Sequence, residues 1–357
     1  MSAVDVRRAV HVVVPEGIDD PTRPSGGNTY DRRVCDGLGA LGWTVRELRV
    51  PGTWPRPDQV ARDALADLLA GVPDGEVVLA DGLVACAAPE SLPAAATRLR
   101  LVVLVHLPLG LGSPAASVRA AERAVLTSAD LVVTTSAWTR RWLLEHEGLA
   151  AARVRVVSPG ADVGVAAPGS ARGGRLLCVG AVTSVKGHDV LLQALGRTAD
   201  LPWCCLCVGA LDLDPGFVDR LSHQVRELGL GDRVHLAGPR TGPALEDAFA
   251  RTDLLVLPSR TETWGMVVTE ALAHGIPVLA ADVGGVSEAL GGGEDAPAGL
   301  LVPPDDPAAL ADALRCWLGD DRLRAALRDA AVRRRAQLPG WADVSARMSA
   351  VLEEVRR

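Results

Sequence analysis

The chain contains a single lysine, Lys186, although lysine and arginine together total 37. Arginine fills every other basic position, so Lys186 stands where an arginine did not serve. Lysine ends in a compact, mobile point charge and arginine in a broad planar fork; a compact cation suits a phosphate in a tight pocket. Positive charge is also scarce overall. The formal net charge of −7 excludes the basic footprint of a nucleic-acid-binding protein. No uninterrupted apolar run approaches the about 20 residues of a membrane-spanning helix. The G-x-G-x-x-G fingerprint of nicotinamide dinucleotide binding is missing after the first strand-like run, and "GAVTSVKGHD" lacks the Walker pattern. The seven cysteines are an odd number and lie mostly inside apolar runs such as "RLLCVG" and "PWCCLCVG", the usage of a reduced, intracellular protein. "CCLC" is no metal cluster in this reading, because Cys204 and Cys205 point to opposite faces of a strand. The opening "MSAVDVRRAV" runs into "HVVVP" without a signal peptide's apolar core and cleavage site. The expected location is the cytoplasm.

What is present is alternation. Short β-rich runs, "AVHVVVP", "WTVRELRV", "EVVLAD", "LRLVVLVH", "ADLVVTTS" and "RVRVVSP", are separated by helix-forming sequence. This pattern predicts a parallel sheet covered on both faces by helices. At 357 residues the chain exceeds what one core usually serves. "GADVGVAAPGSARGG" (160 to 174) has linker composition, after which "RLLCVGA", "WCCLCVGA", "RVHLAGP", "LLVLPS" and "PVLAAD" resume the alternation. The expected division is an α/β domain over 1–165, a second over 172–338 and a last helix over 339–357. Asp306 and Pro307 suit the cap and first position of a helix. The basic runs "WTRRWL" and "AVRRRAQL" read as solvated helix faces, with peripheral contact to anionic lipid as the weaker alternative.

Ligands of open α/β sheets bind beyond the carboxyl ends of the strands, so the segments after each strand are the site candidates. Gly26 and Gly27 precede a helix, as an anion-facing amide pair or as a simple turn. Tyr30, the only tyrosine, lies one turn on. His106 ends an apolar strand, where the residues alone favour a structural histidine over a substrate contact. Lys186 stands beside the helix opened by Gly187, a placement that joins a cation to free helix amides. The densest stretch is "PSRTETWGMVVTEALAHGIPVLAADVGGVSEAL" (258 to 290). There Glu262 lies in a loop and Glu270 about two turns into the next helix, which ends at Gly275. The amides of Thr263, Trp264, Gly265 and Met266 lie between the two carboxylates, and a second glycine pair, Gly284 and Gly285, follows the next strand. Carboxylates accept hydrogen bonds from diols, and amides between them suit a phosphate. Together they describe a nucleotide sugar.

"ETWGMVVTE" resembles the E-x7-E motif of the retaining glycosyltransferases of family 4, with Glu262 and Glu270 as its carboxylates. "SGGN", "VVSPGAD", "VGAVTSVKGHD" and "GIPVLAADVGGVSEAL" extend the resemblance over nearly the whole chain. It implies the GT-B fold: two Rossmann-like α/β/α domains facing a central cleft, with the C-terminal helix crossing back to the N-terminal domain. It implies catalytic roles for Lys186, Glu262 and His106. Lys186 would neutralise the diphosphate leaving group, Glu262 with the adjacent loop amides would seat the donor sugar, and His106 would approach that sugar. Glu270 would bind the ribose hydroxyls, and Gly26 and Gly27 would border the diphosphate or acceptor. The implied substrate is a UDP- or GDP-sugar, the acceptor is unidentified, and neither a cofactor nor an essential metal is expected. Many relatives carry an arginine where this chain has Ala181, so either Arg260 substitutes or Lys186 carries more of the charge. The D-x-D of "LDLDP" (211 to 215) is read as a solvated loop. The rival readings are a sugar-nucleotide epimerase of the same architecture and a non-catalytic two-lobed sugar-binding protein.

Overall fold

The computed structural model describes residues 8–112, 115–291 and 297–356. Residues 1–7, 113 and 114 of the expected first domain, 292–296 of the expected second domain and Arg357 of the expected last helix therefore lie outside the described residues. The chain divides into two compact units. The first comprises the chain through Asp19, Gly27–Pro159 and the chain from Trp341 onward; the second comprises Asp20–Gly26 and Gly160–Gly340.

The first unit is built on a six-stranded parallel sheet of β1 (Ala9–Pro15), β2 (Thr44–Val50), β3 (Val77–Asp81), β4 (Arg100–Val105), β5 (Leu131–Thr134) and β6 (Val154–Val156), in the order β2-β1-β3-β4-β5-β6. Every residue of β3 and β5 is buried, which is why these strands read as unbroken apolar runs. Edge strand β2 instead alternates and carries Arg46, Glu47 and Arg49, charges that discourage pairing with another chain. The last helix, Trp341–Arg356, belongs to this unit. It packs against β3 and β4 and buries Met348 and Leu352, while Ser349 accepts a 2.9 Å hydrogen bond from the Trp43 indole. The crossover expected of the C-terminal helix is thus observed.

The second unit has β7 (Arg175–Val179), β8 (Cys204–Val208), β9 (Val234–Leu236), β10 (Leu254–Leu257), β11 (Val278–Ala281) and β12 (Gly299–Val302), all parallel, in the order β12-β11-β10-β7-β8-β9. Read from the other edge, this is the doubly wound nucleotide-binding order, whose direction reverses between β7 and β10. Leu254 and Val256 face one core with Trp317, and Leu255 and Leu257 face the other with Phe249. A sheet covered on both faces follows from that alternation.

Three segments carry more structure than their sequence shows. "GLLV", which the alternation does not mark, forms β12 against β11. Gly299 permits the approach, since a Cβ there would lie 2.2 Å from the Val278 carbonyl oxygen. The basic runs are solvated faces only in part, with Arg141 and Arg333 exposed. Arg140 donates to the carbonyls of Val154 and Ala151, and Arg335 donates to those of Ala273 and Gly164 at 2.8 and 2.6 Å. The D-x-D of "LDLDP" lies in a loop with Asp212 and Leu213 exposed, as expected, and Asp214 in addition accepts from the Phe217 amide and caps the helix Pro215–Glu227. Asp306 accepts from the amides of Ala308 and Ala309, with Pro307 first in its helix, as the sequence predicted. Cys204 is exposed and Cys205 and Cys207 are buried, the alternation that argued against a cluster. Among the described residues, no helix is long and apolar enough to cross a membrane.

Candidate functional site

The reversal point of the second sheet assembles the motif residues. After β7 the chain makes a short 3-10 turn, Ser184–Lys186, and Gly187 links it to the helix His188–Arg197. Gly187 has φ +66°, and a Cβ there would lie 2.1 Å from the Pro258 carbonyl oxygen. The turn carrying Lys186 is thereby pressed against the end of the neighbouring strand, β10. After β10 the loop brings Ser259, Arg260 and Glu262. Gly284, of the second glycine pair, has φ +57° and would place a Cβ 1.5 Å from the Glu262 carbonyl oxygen. Gly284 therefore serves the seating of Glu262, while Gly285 precedes the helix Val286–Leu290.

The contact made by these constraints is an ion pair. Lys186 Nζ lies 2.5 Å from Glu262 Oε1, which also accepts from Ser259 Oγ at 2.8 Å. Glu262 is the more enclosed partner, 10% exposed against 30% for Lys186. The lysine stem runs over Gly180, whose added Cβ would sit 3.4 Å from Cδ. The ammonium is thus held near the reversal point by a partner that an anionic ligand can replace.

Arg260 does not share that freedom. Its guanidinium is bidentate to Asp189 at 2.9 and 2.8 Å and donates to Asp305 at 2.5 Å, and one arm reaches the Ser184 carbonyl. Its amide donates to the Val185 carbonyl at 2.8 Å. Burial pushes the Asp189 carboxyl up, but these bonds outweigh it and hold the group below its ordinary value. Arg260 braces the turn beneath Lys186, and its charge is matched by two carboxylates.

Trp264 is buried and Gly265, at φ +81°, opens the helix Met266–Ala273. Thr263 lies in the preceding loop. Glu270 stands just over one turn into this helix, not two, because residues up to Gly265 remain in the loop; Gly275, left-handed at φ +69°, follows its end as expected. Burial raises the Glu270 carboxyl to about 7, with Glu246 and Asp162 adding to the shift and His274 opposing it. His274, unremarked in the sequence, is buried, donates through Nε2 to Glu246 Oε2 at 2.9 Å, and contacts the Glu270 carbonyl through Nδ1 at 2.8 Å. An i,i+4 pairing on an apolar helix was the available signal.

The helix Gly26–Ala40 begins at Gly26, the last residue of the Asp20–Gly26 segment of the second unit, and Gly27 is its first residue in the first unit. A Cβ on Gly27 would lie 3.3 Å from His106 Cδ2. His106 follows β4 and binds Asp31 Oδ1 through Nε2 at 2.7 Å. Tyr30 is fully buried and donates to the Val157 carbonyl at 2.9 Å; its role is to anchor the "VVSPGAD" segment. Asp31 was not foreseen, because nothing in "NTYDRRVC" marks one aspartate of a helix as the partner of a distant histidine.

The fold is shared, over nearly full length, with solved glycosyltransferase structures. Sucrose-phosphate synthase from Thermosynechococcus elongatus has a TM-score of 0.81 at 22% identity, covering 98% of this chain and 99% of that one. Anabaena HepE, solved with UDP and glucose, has a TM-score of 0.79 at 20% identity, covering 98% and 100%. The family model described as Glycosyltransferase Family 4 matches residues 9–165, and that described as Glycosyl transferases group 1 matches residues 171–334. The chain belongs to the family 4 glycosyltransferases and has their GT-B fold. Among curated relatives, the D-inositol 3-phosphate glycosyltransferase 1 of Catenulispora acidiphila is 35% identical over 274 residues, 71% of this chain and 64% of that protein. The D-inositol 3-phosphate glycosyltransferase of Kineococcus radiotolerans is 35% identical over 263 residues, 66% of this chain and 59% of that protein. The chain thus spans about three-fifths of the length of these relatives.

Proposed function

We propose that this protein transfers a sugar from a nucleotide-diphosphate sugar to an acceptor hydroxyl with retention of anomeric configuration. The observation that carries the reading is the Lys186–Glu262 pair at the reversal point of the second sheet. A diphosphate arriving there takes over the ammonium and frees the Glu262 carboxylate for the hydroxyls of the donor sugar. Glu270, in the helix begun at Gly265, accepts hydrogen bonds from the ribose hydroxyls once ionised. Lys186 stabilises the charge that develops on the leaving phosphate, and that phosphate assists the incoming hydroxyl. No separate base and no essential metal are called for. The UDP bound by HepE supports a UDP-sugar donor, with GDP-sugars next, and the names of the curated relatives support an inositol phosphate as the first acceptor to try.

The test is turnover of UDP-, GDP-, ADP- and dTDP-sugars with D-inositol 3-phosphate, in EDTA, with the product anomer read by NMR. Donor consumption with retained configuration is expected. An inverted product would overturn the mechanism, and conversion of the donor sugar without any acceptor would establish the epimerase instead. Binding without consumption of any donor would leave the sugar-binding reading.

A further inference from the structure

The polar cluster of the first unit is built at its own reversal point. Strands β1, β3 and β4 are consecutive in the sheet. The helix after β1 carries Asp31, β3 ends at Asp81, and β4 is followed by His106. A carboxylate oxygen of each aspartate and a ring nitrogen of the histidine lie within 4.8 Å of one another. Asp31 is 3% exposed and Asp81 4%. Asp81 also caps the short helix Gly82–Ala85 through the Leu83 amide at 2.9 Å. The second oxygen of Asp31, Oδ2, is buried with no hydrogen-bond partner.

Two carboxylates at this depth are costly unless a cation answers them. Burial pushes the His106 imidazole toward the neutral form, but Asp31, by charge and hydrogen bond, and then Asp81 outweigh it and raise His106 to about 9. Burial and Asp31 raise Asp81 to about 7, with His106 and the Leu83 amide opposing. The ring is also fixed mechanically. Tyr30 meets it edge-on at 5.3 Å between centroids, its phenol kept neutral by burial, and Gly27 lies against the ring. Asp31, Asp81 and Tyr30 are the titratable groups facing it. Nε2 is taken by Asp31, whereas Nδ1 makes no hydrogen bond to a described residue and the side chain is 17% exposed.

We propose that Asp31 is a positioning residue that fixes the His106 ring through Nε2 and holds it as a cation, so that Nδ1–H is presented as a charged hydrogen-bond donor to a substrate oxygen. His106 then acts as a fixed donor and not as a proton acceptor. The proposal rests on the glycosyl-transfer reading above for its substrate. A carboxylate that orients an imidazole through one nitrogen and sets the state of the other is a recurrent device in proteins.

The ring of His106 is followed by NMR titration in ligand-free wild type and Asp31→Asn, and transfer is measured over pH 6 to 9. The wild-type ring is expected to stay protonated through pH 8. In Asp31→Asn its midpoint should fall by about one unit or more, the effect of removing an adjacent opposite charge. Transfer by Asp31→Asn should lose on the order of a hundredfold in kcat at pH 8, the low end for removing one preorganised donor, with donor KM nearly unchanged and activity declining at lower pH than in wild type. Asp31→Glu should recover part of both, which loss of folding would not allow. A wild-type ring neutral at pH 7, or a midpoint and kcat unmoved in Asp31→Asn, would overturn the proposal. If wild type consumes no donor at all, the transfer reading falls, while the ring titration still decides whether Asp31 holds the cation.

Discussion

At the scale of single residues, Lys186 and Glu270 give the sharpest expectations. Lys186→Ala should keep the fold, since the ammonium is partly exposed, yet slow transfer on the order of a hundredfold, about 3 kcal/mol of barrier. Lys186→Arg should not restore it, because a planar fork cannot follow the lysine stem over Gly180 to the same point. Near-normal turnover by Lys186→Ala would remove Lys186 from the diphosphate. For Glu270 the sign follows from its raised carboxyl at about 7. Below that pH the group is neutral and spends a proton as donor; above it, both oxygens accept from a diol. Nucleotide affinity measured by calorimetry should therefore strengthen from pH 6 to 8, by roughly fivefold to tenfold if the carboxylate form alone binds the diol, and Glu270→Gln should flatten the trend. Both residues were legible in the sequence, one by its solitude and the other by its spacing from Glu262. Their electrostatic settings were not. The pairing of Lys186 with Glu262 depends on β7 and β10 being neighbours, a fact of topology, and the raised carboxyl of Glu270 reflects its burial together with the charges of His274, Glu246 and Asp162, none of which belongs to the motif.

At the scale of elements, the loops that carry the motif are placed by glycines. Gly284 is left-handed and in contact with the Glu262 carbonyl, so Gly284→Ala meets two obstacles. The backbone conformation alone costs an L-residue about 1–2 kcal/mol, and the new Cβ has to displace the Glu262 loop. The expected outcome is a lowered unfolding midpoint together with a loss of transfer at least as large as that from Lys186→Ala. An unchanged kcat in a folded Gly284→Ala protein would show that the position of Glu262 does not matter. The helices and central strands were legible because buried parallel strands are continuous apolar runs separated by amphipathic sequence. Edge strand β12 was not, since four residues between glycine-rich and proline-rich segments carry no period. The arginines of "WTRRWL" and "AVRRRAQL" show the same limit, because a charge run does not reveal that carbonyl groups of other segments will face it.

At the scale of the whole molecule, the buried carboxyls tie stability to pH. Glu270 and Asp81, both raised to about 7, hold protons in the folded chain that the unfolded chain releases near pH 4. The folded state thus binds more protons between about pH 4 and 7, and these two groups lower stability as pH rises through that window. His106, raised to about 9, adds a stabilisation that is complete below its unfolded value near 6.5 and is lost as pH climbs through 9. The thermal midpoint of Glu270→Gln should fall less than that of wild type between pH 5 and 7.5. That of Asp31→Asn should fall less between pH 7 and 9.5. Parallel curves would contradict the assignments.

The central claim is that the reversal point of the second sheet holds the diphosphate and ribose of a nucleotide donor. Calorimetric titration of wild type and Glu270→Ala with UDP and GDP, in EDTA, tests it most directly. The account predicts metal-independent binding of one of these nucleotides by wild type and a clear weakening in Glu270→Ala. Binding of neither nucleotide by folded wild-type protein, or equal binding by the variant, would contradict it.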